Sequence, residues 1–222
     1  MFLEISDLLT APEVARLRAI ANSSRYIEGR ASNPHFTLKN NQHQDQGDPG
    51  FAESSKMVQT ALERSEPFRD FAFPWMIAPP QLTRHGVGMS YGVHSDAAFL
   101  PIGNRPLRSD LSCTVFLSDP GSYAGGELCI HLGTKPVMFK LPPGGAIVYP
   151  STTLHEVRPV TQGVRLVSIT FVESRIADPG QREMLYELSE VAALEGLNMQ
   201  WPNRVRLSAV IQTLYRLWSQ AG

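Results

Sequence analysis

The residues best suited to chemistry are His94 and Asp96, in Ser90-Tyr91-Gly92-Val93-His94-Ser95-Asp96, together with His155 much later in the chain. Side chains alternate along a β-strand, so His94 and Asp96 are expected on one face with Cα atoms roughly 6.5–7 Å apart. That spacing lets one imidazole and one carboxylate meet at a single metal. His155 would add a second imidazole, giving two nitrogens and one oxygen on one face of an octahedron. With its remaining positions open, this donor set suits a non-haem Fe(II) centre. A His-x-Asp tripeptide alone occurs by chance in any chain of this size, so the weight falls on what surrounds His155.

Arg165 follows in Gly163-Val164-Arg165-Leu166-Val167. As a strand, this stretch sets Arg165 on the face of Val167, Ile169 and Phe171, with Val164 and Leu166 opposite. A guanidinium between apolar faces is costly unless a carboxylate or phosphate pairs with it. Its planar fork suits a bidentate carboxylate contact. The partner is either a bound ligand or an internal acid such as Glu127, and residue chemistry alone leaves both open. His35 and His43 read as solvated loop histidines. His131 competes with His155 as third ligand but has no arginine ten residues on, and reads as a surface or edge histidine. Cys113 reads as a small core residue.

These residues need a scaffold. A chain of 222 residues can bury one sizeable core and is read as a single domain over 1–222. With 20 Lys and Arg against 21 Asp and Glu, the net charge is −1, without basic clusters. That balance argues against nucleic acid or an anionic membrane as main partner. MFLEISDLLT lacks a basic leader and a long apolar run, no stretch approaches the ~18 apolar residues of a membrane span, and two cysteines fit free thiols. A cytoplasmic protein is expected.

Thr10-Ala11-Pro12-Glu13 is a capping box, and Val14, Leu17, Ile20 and Ala21 recur at helical spacing, predicting a helix over 11–23 after a short strand near Phe2–Ile5. Residues 29–50 read as a long irregular segment, followed by a helix near Ala52–Arg64. Gln81–His85 and Met89–Asp96 read as a hairpin about Gly86-Val87-Gly88, and 97–110 as a loop. Leu111, Cys113, Val115 and Leu117 form one apolar face, with Ser112, Thr114 and Phe116 toward water or a polar pocket. Strands are expected from Gly125-Gly126-Glu127-Leu128, at Ala146–Tyr149 and at Val164–Val172. Two amphipathic helices close the chain, the first after Asp178-Pro179. The organisation is a helical part to about 76, a β core over about 77–175 and helices over about 176–222. Short strands between Gly and Pro turns imply an antiparallel double sheet or barrel.

Several of these runs together carry a family resemblance. Tyr91-Gly92-Val93-His94-Ser95-Asp96, Leu117-Ser118-Asp119-Pro120, Gly125-Gly126-Glu127-Leu128, Leu141-Pro142-Pro143-Gly144, and Tyr149-Pro150-Ser151 through His155-Glu156-Val157 to Gly163-Val164-Arg165 resemble the Fe(II)/2-oxoglutarate dioxygenases of prolyl-4-hydroxylase type. Lys39-Asn40-Asn41-Gln42 and Ser109-Asp110-Leu111-Ser112 look most like the bacterial PKHD-type hydroxylases. The resemblance implies a mainly β fold with flanking helices around a double-stranded β-helix (jelly-roll) core. It also implies Fe(2+) held by His94, Asp96 and His155, with Arg165 on the distal carboxylate of the co-substrate 2-oxoglutarate. Dioxygen is the second co-substrate, and there is room for L-ascorbate as a reductant and for a homo-oligomer. His85 is a departure, standing where relatives usually carry a tyrosine that helps hold the co-substrate.

The expected activity is hydroxylation of an unactivated C–H bond, in a small molecule or protein side chain, as 2-oxoglutarate becomes succinate and CO₂. Related iron halogenases vacate the carboxylate position that Asp96 fills here. The alternatives are a non-catalytic jelly-roll sensor of iron or 2-oxoglutarate, and a cupin-like metalloenzyme that never uses 2-oxoglutarate.

Overall fold

The computed structural model describes residues 1–32 and 37–220. The chain runs β1 (Leu3–Ile5), α1 (Ala11–Ser23), β2 (Tyr26–Glu28), β3 (Lys39–Asn40), β4 (Gln42–Gln44), α2 (Phe51–Arg64), α3 (Glu66–Ala72) and β5 (Pro74–Ile77). Next come β6 (Gln81–His85), β7 (Ser90–His94), β8 (Phe99–Ile102), β9 (Arg105–Arg108), β10 (Leu111–Phe116), β11 (Ala124–Gly125), β12 (Leu128–Leu132) and β13 (Lys135–Phe139). Last are β14 (Ala146–Pro150), β15 (His155–Val157), β16 (Val160–Gln162), β17 (Arg165–Ser174), α4 (Pro179–Glu195) and α5 (Trp201–Trp218).

Two sheets face each other. Among the described residues the larger has eight strands in the order β1-β14-β10-β17-β6-β4-β2, with β5 also on β17; the smaller has five, β13-β12-β15-β7-β3. β10 shows why they stack, since all six of its residues are buried. Leu111, Cys113 and Val115 join Val14, Leu17, Val58, Leu62 and Phe68 in a core between the larger sheet and α1–α3. Phe116 joins Ile147, Tyr149 and Val167 against Leu128, Ile130 and Val157 in a second core between the sheets. Each such side chain contributes roughly 1.5–3 kcal/mol when fully buried.

α1 covers the first core with the four residues its periodicity marks. The Glu13 carboxylate accepts from the Thr10 amide and hydroxyl, each at 2.8 Å. Arg64 of α2 grips the same carboxylate at 2.6 Å. That guanidinium, foremost, holds Glu13 at about 2, well below the usual carboxylate range. α1 and α2 are thereby joined.

Several expectations are corrected. Gly86–Gly88 does not close a hairpin: β6 pairs with β4 and β17 in the larger sheet, whereas β7 pairs with β15 and β3 in the smaller. Short sequence distance suggested pairing, but each strand finds its partners in a different sheet, so the chain between them crosses from one sheet to the other. Residues 97–110 contain a hairpin of β8 and β9 rather than a plain loop. The 29–50 segment contributes β3 to one sheet and β4 to the other. His43, on β4, is not solvated: it is buried, with Nδ1 2.8 Å from the Thr83 hydroxyl. His35 lies outside the described residues. α3 was missed because its seven residues are too few for a periodic signal; Ser65 caps it by accepting from the Phe68 amide.

The two C-terminal helices form where expected, and Asp178 caps α4 by accepting from the Gln181 amide. They sit at the periphery, however. α4 buries Leu185 and Arg182, and no described residue of α5 is buried.

Candidate active site

His94 ends β7 and His155 begins β15, and the two are cross-strand partners beside a β-bulge. Their rings lie 4.2 Å apart between centroids. His94 Nδ1 is 2.8 Å from the Gly92 carbonyl, and His155 Nδ1 is 2.9 Å from the Thr153 carbonyl. A carbonyl can only accept, so each Nδ1 carries the hydrogen and each Nε2 presents a lone pair. Burial foremost, and then the His155 imidazole, lowers His94 to about 4. It is therefore neutral at pH 7, as a metal ligand must be.

Asp96 departs from expectation in its backbone. The strand stops at His94, and Asp96 turns toward the larger sheet, its amide donating to the Ser151 carbonyl at 3.0 Å. Its carboxylate still meets both imidazoles, at 3.7 Å from His94 Nε2 and 3.6 Å from His155 Nε2. Cis ligands about 2.1 Å from one ion stand about 3 Å apart. Three donors of the right kind thus converge within a small adjustment of metal-binding distances.

A buried hydroxyl chain fixes the carboxylate. Ser112 Oγ donates to Asp96 Oδ2 at 2.5 Å, Ser151 Oγ lies 2.7 Å from Ser112 Oγ, and Ser109 Oγ donates to Ser151 at 2.8 Å. A carboxylate only accepts, so Ser112 spends its hydrogen on Asp96 and Ser151 must donate to Ser112. The chain therefore runs one way, from Ser109 to Asp96. These serines were missed as functional residues, although the polar face of β10 was the available signal. That face does meet a polar pocket: Tyr149 hydrogen-bonds Thr114 and lies within electrostatic reach of both Asp96 and Arg165.

Arg165 begins β17 and is only 1% exposed. Its guanidinium carbon is 5.7 Å from the centre of the Phe116 ring. Among the described residues no carboxylate forms an ion pair with it, and Nε has no hydrogen-bond partner. The internal bridge to Glu127 is therefore absent. Burial pulls Arg165 down to about 10, so it remains a cation at neutral pH. His85, its cross-strand partner, is equally buried, with neither ring nitrogen hydrogen-bonded. Burial first, then the charge of Arg165, keeps His85 neutral. Lys39 is buried too, its ammonium 5.1 Å from the centre of the Tyr91 ring, and burial lowers it to about 8. A buried, unpaired guanidinium is unfavourable by itself and fits an anion supplied from outside. His131 does not compete with His155: its Nε2 lies 3.8 Å from Glu156, in a separate group with Cys129.

Residues 80–173 match the family described as the 2OG-Fe(II) oxygenase superfamily. A PKHD-type hydroxylase of Sphingopyxis alaskensis is 49% identical over 216 residues, covering 97% of this chain and 98% of that one. The chain belongs to the PKHD-type hydroxylases. Another member of the family, from Stenotrophomonas maltophilia, is 38% identical over 226 residues, 99% of this chain and 100% of that one. Among solved structures, a Pseudomonas putida prolyl-4-hydroxylase superposes with a TM-score of 0.54 at 18% identity, over 78% of this chain and 92% of that one. A Trichoplax adhaerens prolyl hydroxylase gives a TM-score of 0.60 at 13% identity, over 78% and 83%. These last two share the double-stranded β-helix core. This PKHD-type hydroxylase is thus an Fe(II)- and 2-oxoglutarate-dependent enzyme with a mainly β, helix-flanked jelly roll.

Proposed function

We propose that His94 Nε2, an oxygen of Asp96 and His155 Nε2 hold Fe(II), and that Arg165 holds the distal carboxylate of 2-oxoglutarate, for hydroxylation of an unactivated C–H bond. The observation carrying this reading is the buried guanidinium of Arg165, which forms no ion pair with an acid among the described residues and lies on the same inter-sheet side as the converging triad. Iron and 2-oxoglutarate, when bound, supply the oxidative decarboxylation to succinate and CO₂ that drives oxygen insertion. The chain's own residues do the positioning. The Gly92 and Thr153 carbonyls hold the imidazoles with their Nε2 lone pairs turned toward Asp96. Ser112 holds the Asp96 carboxylate beside both imidazoles, where it would serve as the oxygen ligand, and Arg165 would orient the co-substrate against the apolar wall of Phe116 and Val167. That wall also keeps bulk water from the reacting centre. With Asp96 filling the carboxylate position, the product carries oxygen and no halogen.

The primary substrate is read as a small molecule or protein side chain. The chain is read as one domain over 1–222 in the cytoplasm, with L-ascorbate keeping iron ferrous. Both cysteines are buried and free, and no described helix is long and apolar enough to cross a membrane.

Anaerobic titration with Fe(II) and then 2-oxoglutarate, followed by the weak visible charge-transfer band of the chelate, tests the assignment. Wild type develops the band. Arg165→Ala retains iron but needs far more 2-oxoglutarate, since removing one partner of a buried pair costs about 3–5 kcal/mol, on the order of 10²–10³ in affinity. Unchanged affinity in folded Arg165→Ala, or normal iron binding in His155→Ala, refutes the corresponding role.

A further inference from the structure

We propose a second metal site on the outer face of the smaller sheet, where Cys129, His131 and Glu156 bind a thiophilic divalent cation of the zinc type. Strand alternation builds it. On β12, Leu128 and Ile130 point into the inter-sheet core, so Cys129 and His131 point outward. On β15, His155 joins the triad inside, and Glu156 faces out as the cross-strand partner of Cys129. One sulfur, one nitrogen and one oxygen thus come together across two adjacent strands.

The distances fit. All three ligand atoms lie within 4.8 Å of one another, and His131 Nε2 is 3.8 Å from Glu156 Oε1. With Zn–S about 2.3 Å and Zn–N or Zn–O about 2.0–2.2 Å, tetrahedral ligand atoms stand about 3.3–3.7 Å apart. Side-chain rotation alone closes that gap. His131 Nε2 is buried with no hydrogen-bond partner, a polar atom left unsatisfied by the protein. Burial, with help from the Glu156 charge, raises the Cys129 thiol, so binding displaces its proton. One thiolate and one carboxylate then neutralise a dication. Thiolate and imidazole favour zinc over the oxygen-seeking magnesium or calcium.

Arg158 is the competitor, its Nε 3.7 Å from the same Glu156 oxygen. It is half-exposed, and such a surface pair contributes little, so the guanidinium can turn into solvent. The bound ion would clip β12 to β15 directly behind His155.

Cobalt(II) tests this on the full-length, metal-free protein, because a thiolate ligand gives a near-ultraviolet charge-transfer band that the His–Asp–His triad does not. Cys113 does not interfere, being buried in the core with its thiol pushed up to about 12. Wild type is expected to bind two equivalents, one of them with the thiolate band. Cys129→Ser and His131→Ala each lose the band and one equivalent, keeping the other. His94→Ala does the reverse, so failure of the iron assignment is seen separately. A single equivalent without the band in wild type overturns the second site, as does a band that survives Cys129→Ser. Should Cys129→Ser fail to fold, the partly exposed His131→Ala and Glu156→Gln decide by the same criterion.

Discussion

Replacing Ser112 by alanine removes the hydrogen bond that its buried hydroxyl donates to Asp96 Oδ2. Ser112 is 3% exposed and its 2.5 Å contact is with a charged acceptor. A hydrogen bond to a charged group contributes about 1.5–3 kcal/mol, or roughly 10–150-fold in an equilibrium constant. The substitution also leaves the Ser151 hydrogen without its acceptor. Loss of outer hydrogen bonds to metal ligands commonly costs about 10–100-fold in affinity, so the two routes agree. Ser112→Ala is therefore expected to bind Fe(II) about 10–100-fold more weakly, measured by anaerobic competition against a chelator. Ser109→Ala, which touches Asp96 only through Ser151 and Ser112, should lose less. Iron affinity indistinguishable from wild type in folded Ser112→Ala would show that the hydroxyl chain does not position the carboxylate.

Two further outcomes are expected. Gly126 has φ +68°, and an added Cβ would lie 2.9 Å from Val160, 3.1 Å from Tyr123 and 3.2 Å from Arg165; Gly126→Ala should destabilise the protein by about 1–3 kcal/mol and weaken 2-oxoglutarate binding, read from denaturant midpoints and the chelate band. Burial, then Lys39, holds His43 at about 3 against the usual 6.5, so the unfolded chain takes up this proton first. The related stability is complete above about pH 6.5 and drains on the order of 3–5 kcal/mol as pH falls to about 3. Urea midpoints of the metal-free protein should show this loss, and His43→Gln should flatten it.

Local signals in the sequence were strong where one residue type answers one need. The Thr10–Glu13 box and the 3.6-residue recurrence of Val14, Leu17 and Ile20 marked α1 to its ends. His94, Asp96 and His155 converge although the strand breaks before Asp96, because ligand spacing tolerates a turn that face alternation does not. Pairing was less legible. Whether β6 meets β7 depends on which sheet each strand completes, and that is decided by distant partners such as β17 and β15. His43 looked solvated because its neighbours are polar, yet it is buried, with Thr83 across the strand pair meeting its Nδ1. The serine chain was hidden for the same reason: Ser109, Ser112 and Ser151 become one feature only once β10 and β14 lie side by side.

The crossover between β6 and β7 makes the triad a gauge of sheet spacing. Both imidazoles ride on the smaller sheet, while Asp96 is tied through Ser112 and Ser151 to the larger. A ligand set works only when held within about 0.5 Å. Substitutions in the apolar layer between the sheets, far from any donor atom, would therefore announce themselves as a lost cation before they register as a lost fold.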